Sequence, residues 1–277
     1  MNRVRPYIPL IGFVVPTVIV GYGVVIPRSC IAGVNELTIG FGTTILGVIF
    51  TYIAGQRAVL PSCAGATPPL HVRVARALNR QAAAPRGWFG RILGMIWRRE
   101  HARLNAEVLD LLEVREGHRV LEVGSGPGEA LAKAAQRAQR GGVVGIDISD
   151  VMVSLARRRN RRAVAQGEVE LRVGDIASLA VQASSVDRIF SVHSIYFWRD
   201  PNAVLAKLAH ALKPGGRLVL AFRPEGDDIP ARFRDPTYRF PRVEAVATAL
   251  RAAGLVAHAI ERCATSPGVV MVCASRS

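Results

Sequence analysis

A doubly wound α/β sheet is the fold this 277-residue sequence predicts, on three observations. A short apolar run, Arg119-Val120-Leu121-Glu122-Val123, opens directly into the loop Gly124-Ser125-Gly126-Pro127-Gly128 and then into an alanine-rich helical stretch, 129–140, ended by Gly141-Gly142. A second apolar run, Val143-Val144-Gly145-Ile146-Asp147, and a third, 169–173, are each followed at or near the tip by an acid, Asp147 and Asp175. A helix-length segment, 150–166, separates the second run from the third. Strand, glycine loop and helix form the opening unit of such a sheet, which binds ligands at the carboxyl ends of its strands.

The spacing within the loop restricts the ligand. A dinucleotide site wants GxGxxG, and here the third glycine arrives one residue early, at Gly128, with Glu129 in its place. An acid beside that helix end repels a pyrophosphate, so a nicotinamide oxidoreductase is disfavoured. A P-loop is excluded because no GK[ST] follows. Asp147, 19 residues beyond Gly128, stands where a carboxylate accepts both ribose hydroxyls of an adenosine group. Asp175 stands where it accepts from an adenine amino group. Each acid alone reads equally well as a cap or turn residue. Two at successive strand tips after one glycine loop strengthen the ligand reading.

These residues resemble the class I S-adenosylmethionine-dependent methyltransferases. The similar stretches are Val120-Leu121-Glu122-Val123-Gly124-Ser125-Gly126-Pro127-Gly128, Gly145-Ile146-Asp147-Ile148-Ser149 and Gly174-Asp175-Ile176. They continue in Phe190-Ser191-Val192-His193-Ser194-Ile195-Tyr196-Phe197-Trp198 and Leu212-Lys213-Pro214-Gly215-Gly216-Arg217-Leu218, so the likeness covers about residues 87–277. The resemblance implies a seven-stranded, mostly parallel Rossmann-like sheet with its last strand antiparallel. The chain accommodates this with one helix over 150–166, strands at 187–192, 217–222, 255–262 and 269–274, and helices at 201–212 and 242–253.

By the same resemblance the co-substrate is S-adenosylmethionine, and no metal is used. Glu122 and the loop residues Gly124, Ser125, Gly126 and Gly128 would hold its methionine end. Asp147 would hold the ribose, with Ile148, Met152, Asp175 and Ile176 around the adenine. His193 would stand where the fourth strand opens onto the methyl group. The family often has Asn at that position, so His193 reads as a base, a substrate contact or a wall residue, with Tyr196 as a further contact. The family's Leu-Pro-Phe turn is looser here, as Leu179-Ala180-Val181. The absence of an Asn-Pro-Pro-Tyr motif removes support for methylating DNA bases. With no acidic metal cluster, a divalent-cation mechanism also loses support.

Composition adds a second region. From residue 6 to 27, and again from 37 to 56, no charged residue occurs. Each stretch is long enough to cross a bilayer as a helix. Arginines at 3 and 5, and at 57, 73, 76 and 80, then place both ends of a helical hydrophobic hairpin in the cytoplasm. The expected organisation is a transmembrane hairpin over 1–57, a linker over 58–86 containing one helix at 70–81, and a cytoplasmic catalytic domain over 87–277. The alternatives are a cleaved, lipoprotein-like leader ending near Cys63, and a soluble small-molecule enzyme whose true start lies downstream. A non-catalytic cofactor-binding membrane module is a third.

The net charge of +15 favours anionic partners. Residues 87–99 pattern as an amphipathic helix with Trp88 and Trp97 at its ends, suited to a membrane interface or an oily-substrate lid, and equally to packing on the core. Arg157 to Arg162, interrupted by Asn160, reads as a solvated helix end or a contact for anionic headgroups. Nucleic acid is not supported, because no aromatic residues interleave with these charges. The four cysteines form no CxxC pair, which argues against a disulfide scaffold and a zinc site. The expected acceptor is a lipophilic or small molecule.

Overall fold

The computed structural model describes residues 70–226, 229–230 and 233–277, all within the unit Phe50–Ser277. Both charge-free stretches, and with them the expected hairpin, lie outside the described residues. Among the described residues no helix is long and apolar enough to cross a membrane.

Three helices precede the sheet: α1 (Leu70–Ala83), α2 (Gly87–Glu100) and α3 (Ala102–Leu111). The sequence reading foresees the first two and misses the third, although Leu104, Val108 and Leu112 recur every four residues and are fully buried. The doubly wound part follows as β1 (Val120–Val123), α4 (Glu129–Ala138), β2 (Val143–Asp147), α5 (Asp150–Arg159), α6 (Arg161–Ala165), β3 (Val169–Val173), β4 (Val186–Val192), α7 (Pro201–Ala211), β5 (Leu212–Phe222), α8 (Val243–Ala252), β6 (Leu255–Arg262) and β7 (Val270–Arg276).

The strand order is β3-β2-β1-β4-β5-β7-β6. Pairing is parallel from β3 to β5, and β7 runs antiparallel to both β5 and β6. Side chains alternate across the sheet, as a pleated strand requires. Leu121 and Val123 point into the cluster beneath α7 and α8, whereas Val120 joins the cluster beneath α3, α4 and α5. Phe222 is wholly buried in the first cluster and Phe190 in the second.

The helix expected over 150–166 is broken. Asn160, buried, turns its side-chain amide back to the carbonyls of Ala156 and Gly128, each at 2.9 Å. Continuing the helix would withdraw that amide from the loop it supports. The fifth strand starts at Leu212, earlier than expected, because Leu212 already pairs with Val186; the Lys213–Gly216 segment bulges out, with Gly215 at φ +72°, before pairing resumes at Arg217.

The chain reverses its winding between β1 and β4. A doubly wound sheet opens a crevice at such a point, at the carboxyl ends of the flanking strands. Gly124 follows β1 there, and His193 follows β4.

Candidate functional site

The loop after β1 is shaped by contacts that only glycine allows. Gly124 has φ +78°, and a Cβ on it would lie 2.6 Å from the Ser194 side chain across the crevice. Gly128 has φ +76°, and its Cβ would lie 2.7 Å from both Ala156 Cβ and Asn160 Nδ2. Left-handed backbone without a Cβ therefore lets the loop turn tightly between β4 and α5. The amides of Gly124 and Ser125 both donate to the Ile146 carbonyl, at 2.8 and 3.0 Å, which ties the loop to β2.

Two carboxylates sit beneath this loop. Asp147 accepts the Gly126 N–H on Oδ2 at 2.8 Å and the Ser149 N–H on Oδ1 at 2.9 Å. Burial raises its pKa, and those two N–H groups oppose the rise. Glu122 is only 3 % exposed, and its pKa is raised well above the usual carboxylate range, first by burial and then by the Asp147 charge. Its Oε2 and the Ser125 Oγ are buried and have no hydrogen-bond partner among the described residues. Buried polar atoms are almost always paired, so two orphans three residues apart, one at the end of β1 and one in the loop that follows, fit a group that brings its own donors. An ammonium and a pair of hydroxyls have that chemistry.

Next to the acids, Ile148 and Val173 are about half exposed, at 53 % and 50 %. They lie at the carboxyl ends of the adjacent strands β2 and β3 and offer apolar surface for a flat ring. Met152 and Ile176 are placed differently. Met152 is buried on α5, with its methyl 3.0 Å from where a Cβ on Gly94 of α2 would stand. Ile176 packs into the core beneath α7. Asp175 is exposed and accepts the Ala177 N–H on Oδ1 at 2.9 Å, so one oxygen serves the turn. That turn is held by Lys207, whose ammonium donates to the carbonyls of Ile176, Ala177 and Leu179.

Across the crevice, His193 takes φ +54°, a strained conformation for a side chain of this kind. Its amide is held by the Ala221 carbonyl at 2.9 Å, and its Nδ1 lies 2.9 Å from Tyr196 Oη. Tyr196 Oη already accepts the Arg223 N–H. A phenol oxygen receiving two donors would leave its own buried proton unpaired, so the hydroxyl donates to His193 Nδ1. The His193 proton then resides on Nε2. Burial, with His101 and Arg223 nearby, lowers its pKa to about 3 and keeps the ring neutral. Burial also pushes the Tyr196 hydroxyl up.

Tyr196 further belongs to a ring cluster. Its centroid is 4.9 Å from Phe240 and 6.3 Å from Tyr238, and Phe197 stands 5.3 Å from Tyr238. His101, which precedes α3, meets His193 at 4.8 Å between ring centroids.

Comparison with known proteins bears directly on this arrangement. Residues 121–220 match the family model described as a methyltransferase domain. An uncharacterized methyltransferase of Bacillus subtilis, YdaC, is 33 % identical over 142 residues, or 51 % of this chain and 76 % of the relative. The chain belongs to the S-adenosylmethionine-dependent methyltransferases.

Nocamycin O-methyltransferase of Saccharothrix syringae is 41 % identical to the methyltransferase described here, over 41 % of this chain and 40 % of that relative. A solved S-adenosylmethionine-dependent methyltransferase from Aquifex aeolicus superposes with a TM-score of 0.54 at 20 % identity, covering 73 % of this chain and 98 % of that one. The second likeness shows the fold. S-adenosylmethionine is the co-substrate, and among the described residues no group of acids, histidines and cysteines is arranged to hold a metal ion.

Several residues that shape this crevice carry no motif in the sequence. Asn160 hides inside an arginine run, Lys207 sits in an ordinary helix, and Tyr238 and Phe240 lie in a long connection. His101 had no motif around it at all. The arginine run itself frames a separate cleft of about 380 Å³, lined by Arg158, Arg159, Arg161, Arg162 and Glu168, toward the opposite end of β3.

Proposed function

We propose that this methyltransferase transfers a methyl group to a small, largely apolar organic acceptor. Glu122, Ser125 and the loop Gly124–Gly128 bind the methionine end of S-adenosylmethionine. Asp147 takes the ribose hydroxyls, and Ile148 and Val173 flank the adenine. Bound there, the co-substrate supplies an electrophilic methyl group on a sulfonium. The observation that carries this reading is the pair of orphaned polar atoms, Glu122 Oε2 and Ser125 Oγ, beside Asp147 under the glycine loop.

The protein's part in such a displacement is to orient the two partners and exclude water. Asp147, fixed by two backbone N–H groups, keeps lone pairs on both oxygens for hydroxyl donors. His193, locked by Tyr196, presents a ring N–H rather than a lone pair at its Nε2. The ring cluster of Tyr196, Phe197, Tyr238 and Phe240 supports an acceptor with an apolar or aromatic body. The relative named as a nocamycin O-methyltransferase supports an organic acceptor of this class.

A membrane tether rests on the stretches 6–27 and 37–56 alone, and the proposed chemistry does not depend on it. Fractionation of the full chain with and without those stretches tests it separately.

Calorimetric titration of the full chain with S-adenosylmethionine and with NADH, beside an Asp147→Ala variant, tests the main reading. Binding of the first alone, lost in the variant, is the expected result. A folded protein that binds NADH, or neither compound, would overturn it.

A further inference from the structure

His101 is the residue of the site that no motif assigns. It enters from the segment joining α2 to α3, and its carbonyl starts α3 by accepting the Asn105 N–H at 2.9 Å. Its half-buried ring lies 4.8 Å from the His193 ring, at an interplanar angle of 51°. Among the described residues neither of its ring nitrogens has a hydrogen-bond partner. The two imidazoles thus differ in what they offer. His193 is committed at Nδ1 to the Tyr196 hydroxyl and exposes an N–H. His101 keeps a free lone pair.

From this pairing we infer that His101 is the general base of the reaction, that His193 is a hydrogen-bond donor to the acceptor oxygen, and that the acceptor is a hydroxyl on an aromatic or similarly apolar body. The inference rests on the methyl-transfer reading above. In the step, the acceptor oxygen forms a bond to the methyl carbon while the carbon–sulfur bond breaks and its electron pair returns to sulfur. The hydroxyl proton passes to the free nitrogen of His101. The products are a methyl ether, S-adenosylhomocysteine and a protonated His101, which releases its proton to solvent.

Burial lowers the His101 pKa to about 4, so the ring is neutral at physiological pH and, as a weak base, takes the proton only as the acceptor oxygen becomes positive on bonding to the methyl carbon. Among the described residues, the titratable and charged groups facing the pair are Tyr196, from the turn after β4, and Arg223, which follows β5. Neither competes for the His101 lone pair. A base is required here because a phenol or alcohol starts protonated, whereas a carboxylate or an already ionised oxygen needs none. The ring cluster beside Tyr196 supplies apolar surface for the body that carries the hydroxyl.

The test uses the full chain, tritiated S-adenosylmethionine and a series of substituted phenols, some ionised and some protonated at the assay pH. Wild type is compared with His101→Ala and His101→Gln, with S-adenosylhomocysteine affinity measured for each. Both variants are expected to lose about 100-fold or more in kcat on the protonated phenols, and to stay within about threefold of wild type on the ionised ones. S-adenosylhomocysteine affinity should hold. The kcat of the variants on a protonated phenol should climb about tenfold per pH unit up to the phenol's pKa, and that of wild type should stay level above about pH 6. An equal loss on both kinds of phenol would make His101 structural and overturn the assignment, as would unchanged rates. Wild type that binds S-adenosylhomocysteine but methylates no phenol in the series overturns the hydroxyl-acceptor inference and leaves the methyl-donor reading standing. Failure of wild type to bind S-adenosylhomocysteine defeats that reading itself.

Discussion

Glu122→Gln separates what the site needs from what the fold prefers. In the ligand-free protein the Glu122 side chain is buried, its Oε2 is unpaired, and the Asp147 charge lies close enough to raise its pKa further. An unsatisfied buried acceptor costs about 1–3 kcal/mol, more when charged. Gln keeps an unpaired polar group but carries no charge, so above the folded pKa of Glu122 it should stabilise the fold by about 2 kcal/mol, which raises Tm by about 4–8 °C in a domain of this size. The pH dependence has a definite sign. A carboxyl whose folded pKa is raised contributes stability below its unfolded pKa, near 4.5, and loses it as pH climbs through the folded value. The Tm gap between variant and wild type should accordingly be small at pH 4.5 and widen toward pH 8. Binding should move the other way. A charge-assisted hydrogen bond to the ligand is worth about 1.5–3 kcal/mol, so S-adenosylhomocysteine should bind about 10- to 100-fold more weakly. Thermal unfolding across pH and calorimetric titration read both quantities. A variant that melts lower than wild type, or binds as tightly, would refute the reasoning, because Glu122 would then be a paired structural group.

Other positions test the parts around it. Gly128→Ala places a Cβ 2.7 Å from Ala156 Cβ at φ +76°, and it should cost at least about 2 kcal/mol, measured by urea unfolding. A stability within error of wild type would mean the loop is not held against α5 as described. Lys207→Met strips three carbonyls of their donor and should lower stability by about 1–3 kcal/mol, with the turn at 175–179 the first amides to lose protection in hydrogen exchange. His101 and His193 have pKa values near 4 and 3 when folded, against about 6.5 unfolded. Their contribution is complete above pH 6.5 and falls as pH drops toward 4, by about 1.4 kcal/mol per pH unit for each ring. Because Glu122 and Asp147 act in the opposite sense over that window, the quantity to measure is the stability of wild type minus that of a His101→Phe, His193→Phe double variant. A difference that stays level from pH 7 to 4.5 would show that the rings are not buried in the neutral form.

What the sequence made legible was local. A strand leading into GxGxG, then acids at two strand tips, is written in consecutive residues, and the strands β1, β2 and β3 run where those residues predict. Asp147, expected at the ribose, is found at the tip of β2 with its carboxylate hydrogen-bonded to the Gly126 amide of the loop. The helix α3 was legible too, in Leu104, Val108 and Leu112, but no motif drew the eye to it. Residues that act at long range were silent. Asn160 reaches 32 residues back to Gly128, and Lys207 about 30 residues back to the turn after β3. Neither carries a pattern, because each is chosen by a partner that only the folded sheet brings near. Met152 and Ile176 show the converse. Both were expected around the adenine, but α2 packs on the first and the α7 core takes the second, and a motif does not announce what packs above it.

The assignment of His193 turned on a detail that no sequence holds. As a histidine at the mouth of β4 it is the natural candidate for a base. In the structure the Tyr196 oxygen already accepts the Arg223 backbone N–H, so its own buried proton is satisfied by donating to His193 Nδ1. With that tautomer, His193 enters the proposed reaction as a donor and not as the base. The free lone pair then lies on a residue 92 positions earlier in the chain, His101, brought in by the helices that cap the sheet. In the proposed reading the glycine loop and its acids hold the methyl donor within the first half of the sheet, and the acceptor meets the preceding helices, the end of β4 and the connection after β5. Those are the segments in which a methyltransferase of this fold can change its acceptor without disturbing the donor site.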